Sequence, residues 1–151
     1  MEYAYKERIG KPELFTGRKK ELDFFLKWID DIKDEKSKST ALLARRKMGK
    51  TALLERLFNI IYHRDDTVIP FYFEVKEGKI WALDFCIDFF QTFIYQYISF
   101  KSRKPEYLMP PESADLNALM EIAEQEKLDY LVPYIRGISH AAETEKIDML
   151  W

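Results

Sequence analysis

One cysteine, Cys86, and two histidines, His63 and His140, are all that this 151-residue chain offers in thiol or imidazole chemistry. A lone thiol cannot close an internal disulfide, which fits a reducing cytoplasm. Cys86 lies in an apolar helical run, where a core role is expected rather than that of a nucleophile. The histidines are isolated and give no zinc-ligand spacing. Charge of one sign is lacking too. Twenty-four Lys and Arg against 26 Asp and Glu leave a formal net charge of −2, so there is no net drive toward nucleic acid or an anionic membrane. No signal peptide is expected, because Met1 is followed by the polar stretch EYAYKERIGKPE. The only span that mimics a membrane helix, Ile80 to Phe100, is interrupted by Asp84, Asp88, Gln91, Thr92, Gln96 and Ser99 every three or four residues. That spacing is the wet face of an amphipathic helix. No internal repeat, low-complexity tract or second-domain linker is visible.

What the chain does have is ordinary globular chemistry, 47% hydrophobic and 33% charged, enough for one domain with a core. Eleven Phe and nine Tyr point to a core built from rings as much as from aliphatics.

The most informative stretch is Ser39 to Thr51, STALLARRKMGKT. Thr40 to Leu43 suit a buried strand. Ala44, Arg45, Arg46, Lys47 and Met48 form a basic turn that closes on Gly49, Lys50 and Thr51. Lys50 to Tyr62 then carry Leu53, Leu54, Leu57, Phe58 and Ile61 in helical spacing. Strand, basic turn and helix are the context in which consecutive backbone N–H groups make an anion nest at a helix N-terminus. Gly49 supplies backbone freedom and close approach. The spacing from Ala44 to Thr51 is that of a Walker A loop, with alanine in the first glycine position. In that reading Lys50 reaches the β- and γ-phosphates of ATP or ADP and Thr51 places its hydroxyl on Mg²⁺. The competing reading is a basic loop in which Gly49 is only a turn residue.

Along the chain, residues 1–14 read as an extended N-terminal arm, punctuated by Gly10 and Pro12. Leu22, Phe25, Leu26, Ile29 and Ile32 make a helical stripe, with Thr16 a candidate N-cap. Lys33 to Lys38 is a solvated linker. Thr67 to Val75, TVIPFYFEV, is a second strand, placed at an edge or a strand start by Pro70. A long helix from about Lys79 to Phe100 has Trp81, Phe85, Phe89, Phe90, Phe93, Ile94 and Tyr97 on its dry face. Two more helices are expected, Ala114 to Lys127 with Ser113 as N-cap, and Leu128 to Ala142 despite Pro133 and Gly137. The chain closes on the apolar Ile147, Met149, Leu150 and Trp151.

FTGRKKEL, then a helix, a charged linker and LLARRKMGKTALL, together resemble the start of archaeal-type P-loop ATPases of the AAA+/STAND branch. The resemblance implies an α/β fold of the three-layer αβα kind, incomplete here with two strands plus helices, over residues 15–151. It also implies an adenine-side role for Phe15, Thr16 and Gly17, and it matches the basic loop residues Arg45, Arg46 and Lys47. A complete enzyme of this kind carries a second acidic motif on a later strand, and nothing after Val75 has that form. Glu74, Asp84 and Asp88 read better as solvated carboxylates. The expectation is therefore a domain that binds Mg-nucleotide with doubtful hydrolysis. A non-hydrolysing regulatory or interaction module, with nucleotide as a stabilising ligand or not bound at all, stays open, and a small P-loop kinase ranks behind both. Unpaired strand edges imply self-association or contacts with sequence missing from this chain; nucleic acid and membrane are not expected partners.

Overall fold

A computed structural model describes residues 4–8, 15–32, 34–36, 38–64, 67–75, 78, 81–109 and 115–148. Its elements are five α-helices, α1 (Lys19–Asp30), α2 (Lys50–Tyr62), α3 (Ala82–Ser102), α4 (Leu116–Gln125) and α5 (Val132–Asp148), with short 3-10 turns at Pro105–Tyr107 and Asp129–Leu131. The chain divides into two compact units, Met1–Tyr72 and Phe73–Trp151.

No strand occurs among the described residues, so the expected three-layer α/β architecture is corrected to an all-helical one. Thr40 to Leu43 and Val68 to Val75 run without helix, turn or bend, as the β-branched and aromatic residues suggested, but neither enters a ladder. Strand-forming composition signals a side chain that suits a pleated surface; the ladder itself needs a partner at the right spacing and register. Two short segments alone are too few for a stable sheet.

In the N-terminal unit, Phe25 and Ile29 of α1, one turn apart, meet Leu53, Leu57 and Ile61, which fall on one stripe of α2. Phe15, Leu22 and Leu42 pack around this cluster. A second side of α2 is buried too, at Glu55, Asn59 and Tyr62. Residues 4–8 bond to the first two of these. The Tyr5 N–H donates to Asn59 Oδ1 at 2.7 Å while Asn59 Nδ2 donates to the Tyr5 carbonyl at 2.9 Å. The Arg8 N–H donates to Glu55 Oε2 at 2.8 Å, and Arg56 pairs with Glu7 at 3.1 Å. The arm expected to be merely extended is thus, over these residues, docked on α2.

In the C-terminal unit, Ile94, Tyr95 and Ile98 of α3 form a core with Leu119 and Ala123 of α4 and with Leu131, Val132 and Ile135. The wet face assigned to the long helix is corrected in its second half, where Gln96 and Ser99 are 3% and 0% exposed. Ser99 is satisfied locally, Oγ donating to the Lys104 carbonyl at 2.8 Å. Conversely Trp81, Phe89 and Phe93 of the expected dry face are exposed, and so is Cys86, while the residues of α3 that enter the core with α4 are Ile94, Tyr95 and Ile98. The α4 N-cap is Asp115, its carboxylate accepting from Ala118 N–H at 2.7 Å; Ser113 lies outside the described residues. α5 begins at Val132, so Pro133 sits in the first helical turn, where its missing N–H costs nothing. Of the apolar chain end, Met149, Leu150 and Trp151 lie outside the described residues.

Candidate functional site

The expected phosphate loop keeps its local geometry without a sheet beneath it. α2 starts at Lys50, immediately after the turn, and its N-cap Gly49 is left-handed at φ 71° and ψ 26°. A Cβ built there would meet nothing nearer than Arg18 Nε at 4.0 Å. Glycine is favoured at this position by dihedral angle, not by space. Lys47 is left-handed too, at φ 64°, so two positive-φ residues lie in the three positions preceding α2 and fold the chain into a tight turn at the helix N-terminus.

Ala44 through Gly49 are exposed, while Lys50 and Thr51 are half-buried. No acidic residue stands in the first turn of α2 and no side chain caps it, so the positive end of the helix dipole is uncompensated by its own sequence. Lys50 folds back across the loop. Its ammonium donates to the Ala44 carbonyl at 2.6 Å and the Arg45 carbonyl at 3.3 Å, spanning the turn from its last residue to its first. Met48 N–H donates to the Arg45 carbonyl at 3.4 Å, closing the turn from within.

The candidate residues before α1 divide. Phe15 packs on the core cluster with Phe25, Ile29 and Leu53. Thr16 and Gly17 are exposed, and Gly17 adopts φ 84°. The α1 N-cap is Arg18, without a side-chain capping bond, so Thr16 is not the cap. Arg18 itself is the residue that the sequence reading left out of the site. Its guanidinium donates to the Met48 carbonyl, which ties the FTGR segment to the basic turn. The available signal was adjacency, since Arg18 follows directly on the three residues already singled out.

The other carboxylates considered lie elsewhere. Glu74 and Asp84 are exposed, Asp88 is half-buried on α3, and no group of three His, Cys, Asp or Glu side chains able to hold a metal ion occurs among the described residues. No described helix is long and apolar enough to cross a membrane. No family model matches the chain, and no curated protein or solved structure resembles it closely enough to count as a relative.

Proposed function

We propose that the turn from Ala44 to Thr51 binds the phosphates of ATP or ADP with Mg²⁺, and that the chain is a cytoplasmic nucleotide-binding module with negligible turnover of its own. The observation that carries this reading is Lys50 reaching back over a turn whose Gly49 is left-handed at an uncompensated helix N-terminus. A phosphate oxygen placed there replaces the Ala44 and Arg45 carbonyls as acceptor for the Lys50 ammonium. Such charge-assisted bonds are about twice as strong as neutral ones. Backbone N–H groups at the start of α2 supply further donors. Arg45, Arg46 and Lys47 add positive potential, Thr51 offers a hydroxyl to Mg²⁺, and Arg18 holds the Met48 end of the turn. The residues present therefore suit a magnesium nucleotide. Hydrolysis asks for more, a carboxylate in the Mg²⁺ sphere and a group that orients water, and the sequence has no second acidic motif to provide them.

The regulatory reading, nucleotide as a stabilising ligand, follows from the same absence and shares the same site.

A thermal shift with Mg-ATP tests it. At a hundredfold excess over the dissociation constant, ligand should add about 2.7 kcal/mol of stability. The shift should vanish in Lys50→Ala and weaken in Thr51→Ala only when Mg²⁺ is present. Equal shifts in the parent chain and Lys50→Ala would remove the assignment. Steady phosphate release abolished by Lys50→Ala would show that the chain is an enzyme after all.

A further inference from the structure

Charge is segregated along this chain in a way that its net value of −2 conceals. Two stretches, 15–20 and 39–54, contain no acidic residue, so all 26 Asp and Glu lie outside them. The fold brings the two together. Arg18 donates to the Met48 carbonyl, and its Nε lies 4.0 Å from where a Gly49 Cβ would stand. Arg18, Lys19 and Lys20 at the start of α1 therefore adjoin Arg45, Arg46 and Lys47 in the turn before α2. Arg18 is half-buried and the other five are exposed.

The same turn carries apolar surface. Leu43 is 90% exposed, more than any other large hydrophobic side chain among the described residues, and Met48 is 54% exposed. A single exposed leucine is ordinary. Here it flanks a run of three cations with an exposed methionine on their other side, on a turn held by its own bonds from Met48 N–H and the Lys50 ammonium.

We infer that this corner of the N-terminal unit docks on an anionic bilayer surface, with Leu43 and Met48 entering the headgroup boundary and the cations beside them at the level of the lipid phosphates. The inference does not rest on the nucleotide reading. It departs from the expectation drawn from net charge, because net charge averages over the whole chain whereas attraction to a charged surface acts within about 10 Å. A nucleic-acid backbone would satisfy the cations equally well, but it leaves Leu43 in water. An acidic protein would have to offer a pocket shaped to the turn. A bilayer takes both kinds of side chain without one. Each Lys or Arg close to an anionic leaflet is worth about fivefold in partitioning, and the acyl boundary removes the leucine from water. Neither signal anchors a chain by itself; a basic patch joined to an apolar insertion does.

The test is co-sedimentation of the full chain with phosphatidylcholine vesicles, with and without phosphatidylserine. Binding is expected only with phosphatidylserine, weakening as salt is raised. Arg45→Glu combined with Arg46→Glu should lower partitioning by about twenty-fivefold or more. Leu43→Ser should lower it by about tenfold with Tm unchanged, since the side chain is exposed. Should the double reversal fail to fold, Leu43→Ser and the salt series decide alone. Equal partitioning of the parent chain and Leu43→Ser would overturn the inference. So would equal binding to both kinds of vesicle, or binding to neither. A duplex oligonucleotide or polyglutamate that displaces the chain from vesicles, and binds Leu43→Ser as tightly as the parent, would assign the patch to a soluble polyanion and overturn it equally.

Discussion

Replacing Asn59 by alanine isolates the interaction that docks residues 4–8. Asn59 is 2% exposed, and its amide makes three bonds, two to the Tyr5 main chain and one at 2.9 Å to Glu7 Oε1. Each neutral bond is worth about 1 kcal/mol net and the bond to a carboxylate about 1.5–3, which sets an upper limit near 4–5 kcal/mol. The segment can lift away and let water satisfy Tyr5, so the loss is capped by the free energy of docking. The Arg8 and Arg56 ion pairs with Glu55 and Glu7 hold the segment after the amide is gone. We expect a loss of about 2–4 kcal/mol, seen as a fall in Tm of roughly 5–15 °C for a chain of this size. Urea denaturation measures the loss, and limited proteolysis reports whether the first eight residues come free. The same substitution in a chain lacking residues 1–8 should cost less than about 0.5 kcal/mol, because the two perturbations remove one interaction. An undiminished cost in the shortened chain would refute the reasoning, since Asn59 would then act through α2 alone.

Gly49→Ala forces a Cβ into φ 71° with open space around it, so a cost of about 1–2 kcal/mol in chemical denaturation is expected from backbone strain alone. Asp115→Ala removes the α4 cap and should cost about 1 kcal/mol, with Asp115→Asn close to neutral in the same denaturation experiment. Glu126 is held below its ordinary range by hydrogen bonds from Lys104 and Tyr107, and Lys104 is raised above its own by the same contact. A lowered acid contributes stability that is present above its ordinary range and lost as pH falls through its lowered value; the raised lysine's share is present below its ordinary range and lost as pH rises through its raised value. Stability should therefore lose this contribution in acid and again in strong alkali, and Glu126→Gln should flatten both limbs of a pH series followed by circular dichroism. The Tyr130 phenol, pushed up to about 12 by desolvation and its 2.9 Å hydrogen bond with Tyr97, should return toward 10 in Tyr97→Phe, read by ultraviolet titration.

Helical periodicity was legible wherever one face of a helix meets one neighbour. Phe25 and Ile29 against Leu53, Leu57 and Ile61 follow directly from the spacing, and the helix from Lys50 to Tyr62 begins where the glycine and lysine said it would. The basic turn was legible for the same reason, since a left-handed glycine before a helix is a local matter of backbone sterics. What the sequence alone could not decide was anything that depends on a distant partner. Gln96 and Ser99 look wet by pattern but are buried, while Trp81, Phe89 and Phe93 stay exposed, because burial along α3 is set by what packs on it and not by its own periodicity. Asn59 and Glu55 look like polar interruptions on α2 until residues 4–8 arrive to use them. Arg18 reaches the Met48 carbonyl across thirty positions of chain. The absent sheet has the same cause: Thr40–Leu43 and Val68–Val75 have the residues of strands, but a ladder is a relation between segments, and only the tertiary structure decides whether a second segment comes within hydrogen-bonding distance.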